Sequence, residues 1–127
     1  MAHILLVEDN VELRNVLESI LIEEDHFVCC ASDGLEATHA FSQRAWDLVV
    51  MDLLLPNKEG LQTIQEILTE DPGLGILAIS GGGCGDADSY LAIAKTFGAK
   101  DTLVKPFTRT QFLTAISGVL GASSRGP

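Results

Sequence analysis

The sequence predicts an α/β domain built on a mostly parallel sheet with helices on both faces. Five short apolar segments alternate with five segments in which apolar residues recur at helical spacing. Strands that alternate with helices favour parallel strands joined by helical crossovers. The chain has 127 residues, 46% of them hydrophobic, which suits one domain with a buried core.

The first half of the chain begins with two strand–helix units. His3–Val7 is predicted to be a strand, and residues 11 to about 24 a helix. One face of that helix is marked by Val11, Leu13, Val16, Leu17, Ile20 and Leu21. A strand is predicted at Phe27–Ala31, and residues 32–34, Ser-Asp-Gly, are of types typical of a turn. The next helix ends near Arg44 and is marked by Leu35, Thr38, Ala40 and Phe41.

An apolar run at residues 48–55 contains one charge, Asp52, and Pro56 follows it. A run without polar alternation predicts a strand covered on both faces, and the strand ends before Pro56 because proline cannot donate to a ladder. A carboxylate in such a run is costly to bury unless it is paired or binds a metal. If the strand ends near Asp52, the carboxylate lies at the sheet edge where ligands bind.

The second half of the chain completes the alternation. A loop at residues 57–60 leads to a helix marked by Leu61, Ile64, Gln65, Ile67 and Leu68. A strand at residues 75–80, a glycine-rich loop at 81–85 and a helix ending before Gly98 come next. Residues 102–104 form the fifth predicted strand, and the last helix is marked by Phe112, Leu113, Ile116, Val119 and Leu120. The domain is predicted to cover residues 1–120, with a flexible C-terminal tail at 121–127.

Charge and composition limit the classes of partner. The net charge is −10, with 15 acidic and 3 basic residues in 1–71 and 3 acidic and 5 basic residues in 72–127. We expect no direct nucleic-acid binding, because the chain has no basic stripe. We also expect no membrane segment and a cytoplasmic location, because no long apolar run and no signal peptide are found. Cys29, Cys30 and Cys84 lack metal-ligand spacing and are expected to be free thiols.

Polar residues that end four of the five strands are expected to meet at one edge of the sheet. They are Glu8, Asp9, Asp52, Ser80 and Lys105. Three carboxylates and one ammonium leave a charge of −2, which a divalent cation would neutralise. Oxygen ligands suit Mg²⁺, which commonly binds beside phosphate, and the hydroxyl and ammonium can bind phosphate oxygens. The cluster therefore predicts phosphoryl transfer to Asp52 as the nucleophile.

The chain resembles the receiver domain of two-component response regulators over residues 3–120. The resemblance rests on the residue 4–10 segment ILLVEDN, on DGLEA at 33–37, on Asp52 with Pro56 and Gly60, on Ile79-Ser80, and on Gly98-Ala99 ahead of Lys105-Pro106-Phe107. It implies a doubly wound, flavodoxin-like sheet with strand order 2-1-3-4-5. It also implies a switch phosphorylated by a histidine kinase or phosphotransfer protein, which then signals to an unknown downstream protein by contact or onward phosphotransfer. Such a domain catalyses only its own phosphorylation and dephosphorylation.

The resemblance also assigns a role to each matching residue. Asp52 is implied as the phosphoacceptor, and Mg²⁺ as held by Glu8, Asp9, Asp52 and the backbone carbonyl of Leu54. Lys105 would pair with the phosphoryl group, and Ser80 would hydrogen-bond it in the active state. Leu13 and Phe107 fall where relatives dock the histidine partner.

Three local features depart from the family pattern or modify it. Thr102 stands where many relatives carry an aromatic switch residue, so the usual coupling to Ser80 is not expected in the same form. The glycine run after Ser80 leads to the hypothesis that activation orders residues 81–86. Leu54 places an apolar side chain beside the phosphoryl group, which predicts slow loss of phosphate.

Three alternatives remain at this point. A phosphatase of the haloacid dehalogenase type needs a second Asp where this chain has Leu54, and a flavodoxin-like flavin carrier needs a phosphate loop that Glu8 and Asp9 would repel. The third alternative is a receiver cut from a longer chain.

Overall fold

The computed structural model describes residues 1–55, 59–81 and 87–122, and in that part of the chain it confirms the predicted α/β architecture. The strands are β1 (His3–Val7), β2 (Phe27–Ala31), β3 (Leu48–Asp52), β4 (Gly75–Gly81) and β5 (Asp101–Lys105). The helices are α1 (Val11–Glu23), α2 (Gly34–Phe41), α3 (Gly60–Glu70), α4 (Ala87–Thr96) and α5 (Arg109–Ala122). All strand pairs are parallel, in the order β2-β1-β3-β4-β5 that the resemblance implied.

The sheet separates two apolar layers because successive strand residues point to opposite faces. One layer packs side chains from α2, α3 and α4, such as Ala37 and Ile64, against Val49 and Met51. The other layer packs side chains of α1 and α5, including Leu17 and Phe112, on the opposite face. All residues of β3 are buried, since the strand is central and covered on both sides. The end of β3 is therefore held firmly by both layers.

The third strand is shorter than the apolar run that predicted it. The N–H of Leu53 still donates to Ile79 across the sheet, at 3.0 Å. The next N–H, that of Leu54, turns to the carboxylate of Asp52 instead of a neighbouring strand, at 3.1 Å. The prediction of a strand through Leu55 was therefore wrong, and β3 ends at Asp52.

Two further differences concern the helices. Helix α2 ends at Phe41 rather than near Arg44, because the N–H of Ser42 closes the last turn on Thr38 and His39. Apolar spacing also overstated the buried faces: Val11, Val16 and Leu35 are 54–59% exposed. Their helices bury only the side that meets the sheet.

The ends and loops differ in how far they can be described. Helix α5 continues through Ala122, two residues beyond the predicted end of the domain at residue 120, and residues 123–127 lie outside the described part. Residues 56–58 and 82–86, with the glycine run and Cys84, also lie outside it. Cys29 and Cys30 are free, as predicted. Within the described ranges, no helix combines the length and apolarity that crossing a membrane requires.

Candidate functional site

The carboxyl edge of the sheet brings together the predicted acidic residues. One carboxylate oxygen from each of Glu8, Asp9 and Asp52 lies within 4.8 Å of the others. Glu8 directly follows β1 and Asp52 ends β3, and these strands are hydrogen-bonded neighbours. Glu8 and Asp52 are buried, while Asp9 is exposed. The cluster therefore has two buried carboxylates and one that opens to solvent.

Lys105 completes the cluster from the end of β5. Its Nζ atom lies 2.7 Å from Oε1 of Glu8 and 3.1 Å from Oδ2 of Asp52. Burial lowers the pKa of the Lys105 ammonium, but the two carboxylates outweigh that effect and raise the pKa above its ordinary value. Lys105 is therefore an ammonium that bridges two buried anions.

The arrangement disfavours the charged form of the Glu8 carboxyl. Burial raises the pKa of its carboxyl first, the nearby Asp52 raises it further, and the contact with Lys105 only partly offsets both. One ammonium does not balance three carboxylates, so the site retains excess negative charge. Clustered hard oxygen atoms with uncompensated charge fit a divalent cation of the Mg²⁺ type.

The loop between β1 and α1 orients Glu8. The Asn10 side chain caps α1 by accepting from the N–H of Leu13, at 2.9 Å, while its own N–H donates to Oε2 of Glu8, at 3.1 Å. Arg14 donates to the carbonyl of Glu8, at 3.0 Å. The role of Arg14 was not predictable from the sequence, because a basic residue on the first turns of a helix carries no signal of the backbone atom that it will contact.

Asp52 is held at both carboxylate oxygens and from behind. Oδ1 accepts from the N–H of Leu54, at 3.1 Å, and Oδ2 accepts from Lys105, at 3.1 Å. Behind the strand end, Gly60 starts α3 so close to the backbone of Asp52 and Leu53 that a Cβ would overlap it. The position of the carboxylate thus depends on a glycine eight residues away in sequence.

The remaining predicted residues lie at different distances from this cluster. Ser80 is fully buried on β4, and its Oγ atom has no hydrogen-bond partner among the described residues. Ser80 pairs in register with Val104, next to Lys105. Thr102 lies two pairs earlier, opposite Ala78, so it is set back from the strand ends.

The two predicted docking residues are partly accessible. Leu13 and Phe107 are half-buried, and both pack against the layer formed with α1 and α5. The ring of Phe107 stacks on Phe112 with centroids 5.6 Å apart. Leu13 follows the loop that carries Glu8 and Asp9, and Phe107 follows Lys105 by two residues.

Comparisons with known proteins give a consistent relationship. A family model described as the response regulator receiver domain matches residues 4–117. The chain is 34% identical over 119 residues to the chemotaxis protein CheY of Halobacterium salinarum, covering 94% of this chain and 97% of that protein.

Two solved structures are also similar to the chain. The receiver domain of NtrX from Brucella abortus superposes with a TM-score of 0.88 at 32% identity, covering 94% of this chain and 99% of that one. A longer NtrX chain is covered over only 27% of its length. The receiver domain of the sensor histidine kinase PA1611 from Pseudomonas aeruginosa, with a magnesium ion in its active-site cleft, has a TM-score of 0.82 at 28% identity, covering 94% of this chain and 98% of that one.

The fold, the acidic cluster at the strand ends and the family match over residues 4–117 agree with one another. Receiver domains are signalling domains rather than conventional enzymes, so the phosphatase and flavin-carrier alternatives are not supported. The chain belongs to the response regulator receiver domain family of two-component systems.

Proposed function

We propose that this receiver domain accepts a phosphoryl group on Asp52 from a histidine kinase or phosphotransfer protein and then signals by protein contact or onward phosphotransfer. The observation that carries the proposal is the contact of one half-buried ammonium, Lys105, with Asp52 at 3.1 Å and Glu8 at 2.7 Å. A carboxylate that is held in place beside a flexible cation is equipped to act as a nucleophile.

In the proposed step, an oxygen of Asp52 attacks the phosphorus of a phosphohistidine. The new P–O bond forms as the P–N bond breaks, and the leaving imidazole nitrogen keeps the electron pair and takes up a proton from solvent water. The N–H of Leu54 hydrogen-bonds to Oδ1 of Asp52 and holds the carboxylate in place. Lone pairs of the carboxylate that accept no hydrogen bond are then available to attack the phosphorus. The ammonium of Lys105 can move from Asp52 to the phosphoryl oxygens as negative charge is transferred to them. Its flexible side chain ends in a compact charge, which needs no fixed orientation as a planar guanidinium does.

We propose Mg²⁺ as the cation of the acidic cluster, held by Glu8, Asp9, Asp52 and the carbonyl of Leu54. The fit rests on the clustered carboxylates and on the raised pKa of Glu8, which reflects burial and the neighbouring Asp52. When bound, the ion would neutralise charge on the transferring phosphoryl oxygens.

Ser80 is the proposed sensor of the phosphoryl group. Its Oγ atom is buried without a hydrogen-bond partner among the described residues, and a buried hydroxyl in that state gains free energy from a new acceptor. Thr102, the other predicted switch residue, cannot replace an aromatic ring by volume, so we propose that the response passes through Ser80 and the chain after β4. Leu13 and Phe107 are the proposed contacts for the phosphohistidine donor. We also propose a cytoplasmic location, where the chain would meet that donor.

The experiment is intact-protein mass spectrometry after incubation with acetyl phosphate, with and without Mg²⁺. The wild type should gain one phosphoryl group only with Mg²⁺, and Asp52→Ala should gain none. Asp25→Asn is the matched control, because Asp25 is an exposed acid whose left-handed backbone, with φ of 65°, suits asparagine. Equal labelling of the Asp52→Ala variant would refute the assignment of the phosphoacceptor.

A further inference from the structure

The amino end of β2 carries a second site-like feature, at the opposite edge of the sheet from Asp52. A cavity of about 270 Å³ lies between the start of β2 and the end of α2. Phe27, Cys29, Ala40 and Trp46 supply its apolar lining, and the polar rim is formed by His39, Gln43 and Arg44. It exists because α2 has only 8 residues and ends at Phe41, so the first residues of β2 are left uncovered.

Arg44 is arranged over this cavity in an unusual way. Its guanidinium lies 4.5 Å from the ring centroid of Phe27 and 5.8 Å from that of Trp46. No carboxylate among the described residues pairs with it, although residues 1–71 hold 15 acids and only 3 bases. A guanidinium stacked on aromatic rings keeps its N–H edge free for an anion.

The aromatic surface under Arg44 is partly open. Phe27 is 38% exposed, which is high for a phenylalanine within a strand, whereas Trp46 is buried. The Trp46 indole N–H donates to the carbonyl of Ala40, at 3.3 Å, so its ring is fixed as the floor of the cavity. An apolar side chain that entered would meet an aromatic wall beside the guanidinium of Arg44.

We propose that this cavity is a docking site for a partner peptide in which a large apolar side chain stands next to a carboxylate. The apolar side chain would fill the space between Phe27, Cys29 and Trp46, and the carboxylate would pair with the guanidinium of Arg44. Charge complementarity selects an anion at this point, because Arg44 has no carboxylate partner among the described residues, in a half of the chain with 15 acidic and 3 basic residues. Aromatic residues and arginine are also the residue types that carry most binding energy at protein interfaces.

The position of this site has a consequence for signalling. Phe27 is the first residue of β2, whereas Asp52 is the last residue of β3. A peptide bound at the amino edge would leave the carboxyl edge open to a phosphodonor. The domain could therefore hold one partner through this cavity while it exchanges phosphoryl groups with another.

The test uses N-acetylphenylalanine, which combines a peptide group, an aromatic side chain and a free carboxylate. Trp46 is the single tryptophan of the chain, so its fluorescence and its indole N–H resonance report on this cavity alone. We expect saturable binding with a dissociation constant on the order of 1 mM, as suits so small a ligand. The neutral analogue N-acetylphenylalaninamide should bind about tenfold more weakly, since it lacks the charge-assisted hydrogen bond.

Variants separate recognition by Arg44 from its packing role. Arg44→Gln should remove the preference for the acid over the amide, and Arg44→Lys should retain part of it. Arg109→Gln is the matched control, because Arg109 lies on α5 near Glu23 and Glu24 and should leave both affinities unchanged. Thermal unfolding followed by circular dichroism, with a midpoint equal to that of the wild type, confirms that each variant keeps its fold.

Three results would overturn the proposal. They are equal binding of the acid and the amide, a preference for the acid that survives in Arg44→Gln, and tighter binding of adenosine monophosphate than of N-acetylphenylalanine. The last result would reassign the cavity to a planar nucleotide. Phosphorylation of Asp52 does not enter any of these measurements, so the outcome is independent of the proposed function.

Discussion

The first turn of α3 presses Gly60 directly against the backbone of Asp52. A Cβ on Gly60 would overlap the carbonyl oxygen of Asp52 and lie 2.7 Å from Cα of Leu53. The N–H of Gly60 also donates to the carbonyl of Leu53, at 3.3 Å. The start of α3 and the end of β3 are thus joined by close backbone packing and a hydrogen bond, and this contact lies directly behind the carboxylate of Asp52.

Gly60→Ala should destabilise the domain and slow phosphorylation of Asp52. Backbone atoms cannot move aside as a flexible side chain can, so we expect a loss of about 1–3 kcal/mol in the free energy of unfolding. Urea unfolding and the rate of labelling by acetyl phosphate measure the two effects. Gly118→Ala is the control: that glycine lies in α5 with open space around it, so the change should stabilise by about 0.5–1 kcal/mol. Similar results for both variants would show that the close approach is not a constraint.

Lys105→Met should impair both the site and the fold. It removes the only cation that pairs with the side-chain carboxylates of Glu8 and Asp52 among the described residues, and leaves two buried carboxylates facing each other. We expect about 2 kcal/mol of lost stability and roughly a hundredfold slower phosphorylation, since the charge on the transferring group loses a partner. Lys100→Met, at an exposed position before β5, should change neither. Wild-type labelling rates in Lys105→Met would contradict the role of the ammonium.

Glu8→Gln should have opposite effects on stability with and without Mg²⁺. In the metal-free fold, burial and Asp52 raise the pKa of Glu8 above 4.5. When the pKa of a carboxyl is higher in the folded than in the unfolded state, the carboxyl stabilises the fold most at a pH below its pKa in the unfolded state. That stabilisation is lost as the pH rises through its pKa in the folded state. At neutral pH without metal, the glutamine variant should therefore be the more stable protein.

Added Mg²⁺ should reverse that order. Binding stabilises the folded state by about 1.4 kcal/mol when the free ion is tenfold above its dissociation constant, and Glu8→Gln removes one of the carboxylates. Thermal unfolding at neutral pH, with chelator and with saturating Mg²⁺, gives both comparisons. An unchanged order of the two proteins in both conditions would argue against a metal site that includes Glu8.

Leu54→Asn should shorten the lifetime of the phosphorylated form. The Leu54 side chain is 46% exposed beside the carboxylate that its own N–H contacts, so it is placed to hinder an attacking water. An amide that orients water should speed hydrolysis by roughly tenfold, equivalent to about 1.4 kcal/mol in the barrier. Loss of phosphate is followed by intact mass after removal of the donor. Leu35→Asn, at a more exposed leucine on α2, is the control and should decay as the wild type does; equal decay of Leu54→Asn would refute the shielding.

Much of the site was predictable because it follows from the order of the elements. Parallel strands share one carboxyl edge, so Glu8, Asp9, Asp52 and Lys105 could be placed together from the chain order and the apolar runs alone. The burial of Asp52 followed from the absence of polar alternation around it. Apolar spacing was less informative for Val11, Val16 and Leu35, because spacing reports a helix but does not say how wide a face meets the sheet.

The sequence by itself determined the alternation of strands and helices, the parallel sheet and the polar residues that end its strands, because these depend on local periodicity and connection rules. Tertiary structure alone decided the contacts that join distant parts of the chain. Lys105 bridges Glu8 and Asp52, Gly60 packs on the end of β3, and Arg44 lies over Phe27. Such contacts depend on distances between elements, on the lengths of helices such as α2 and on side-chain directions, none of which is encoded in the spacing of residues along the chain.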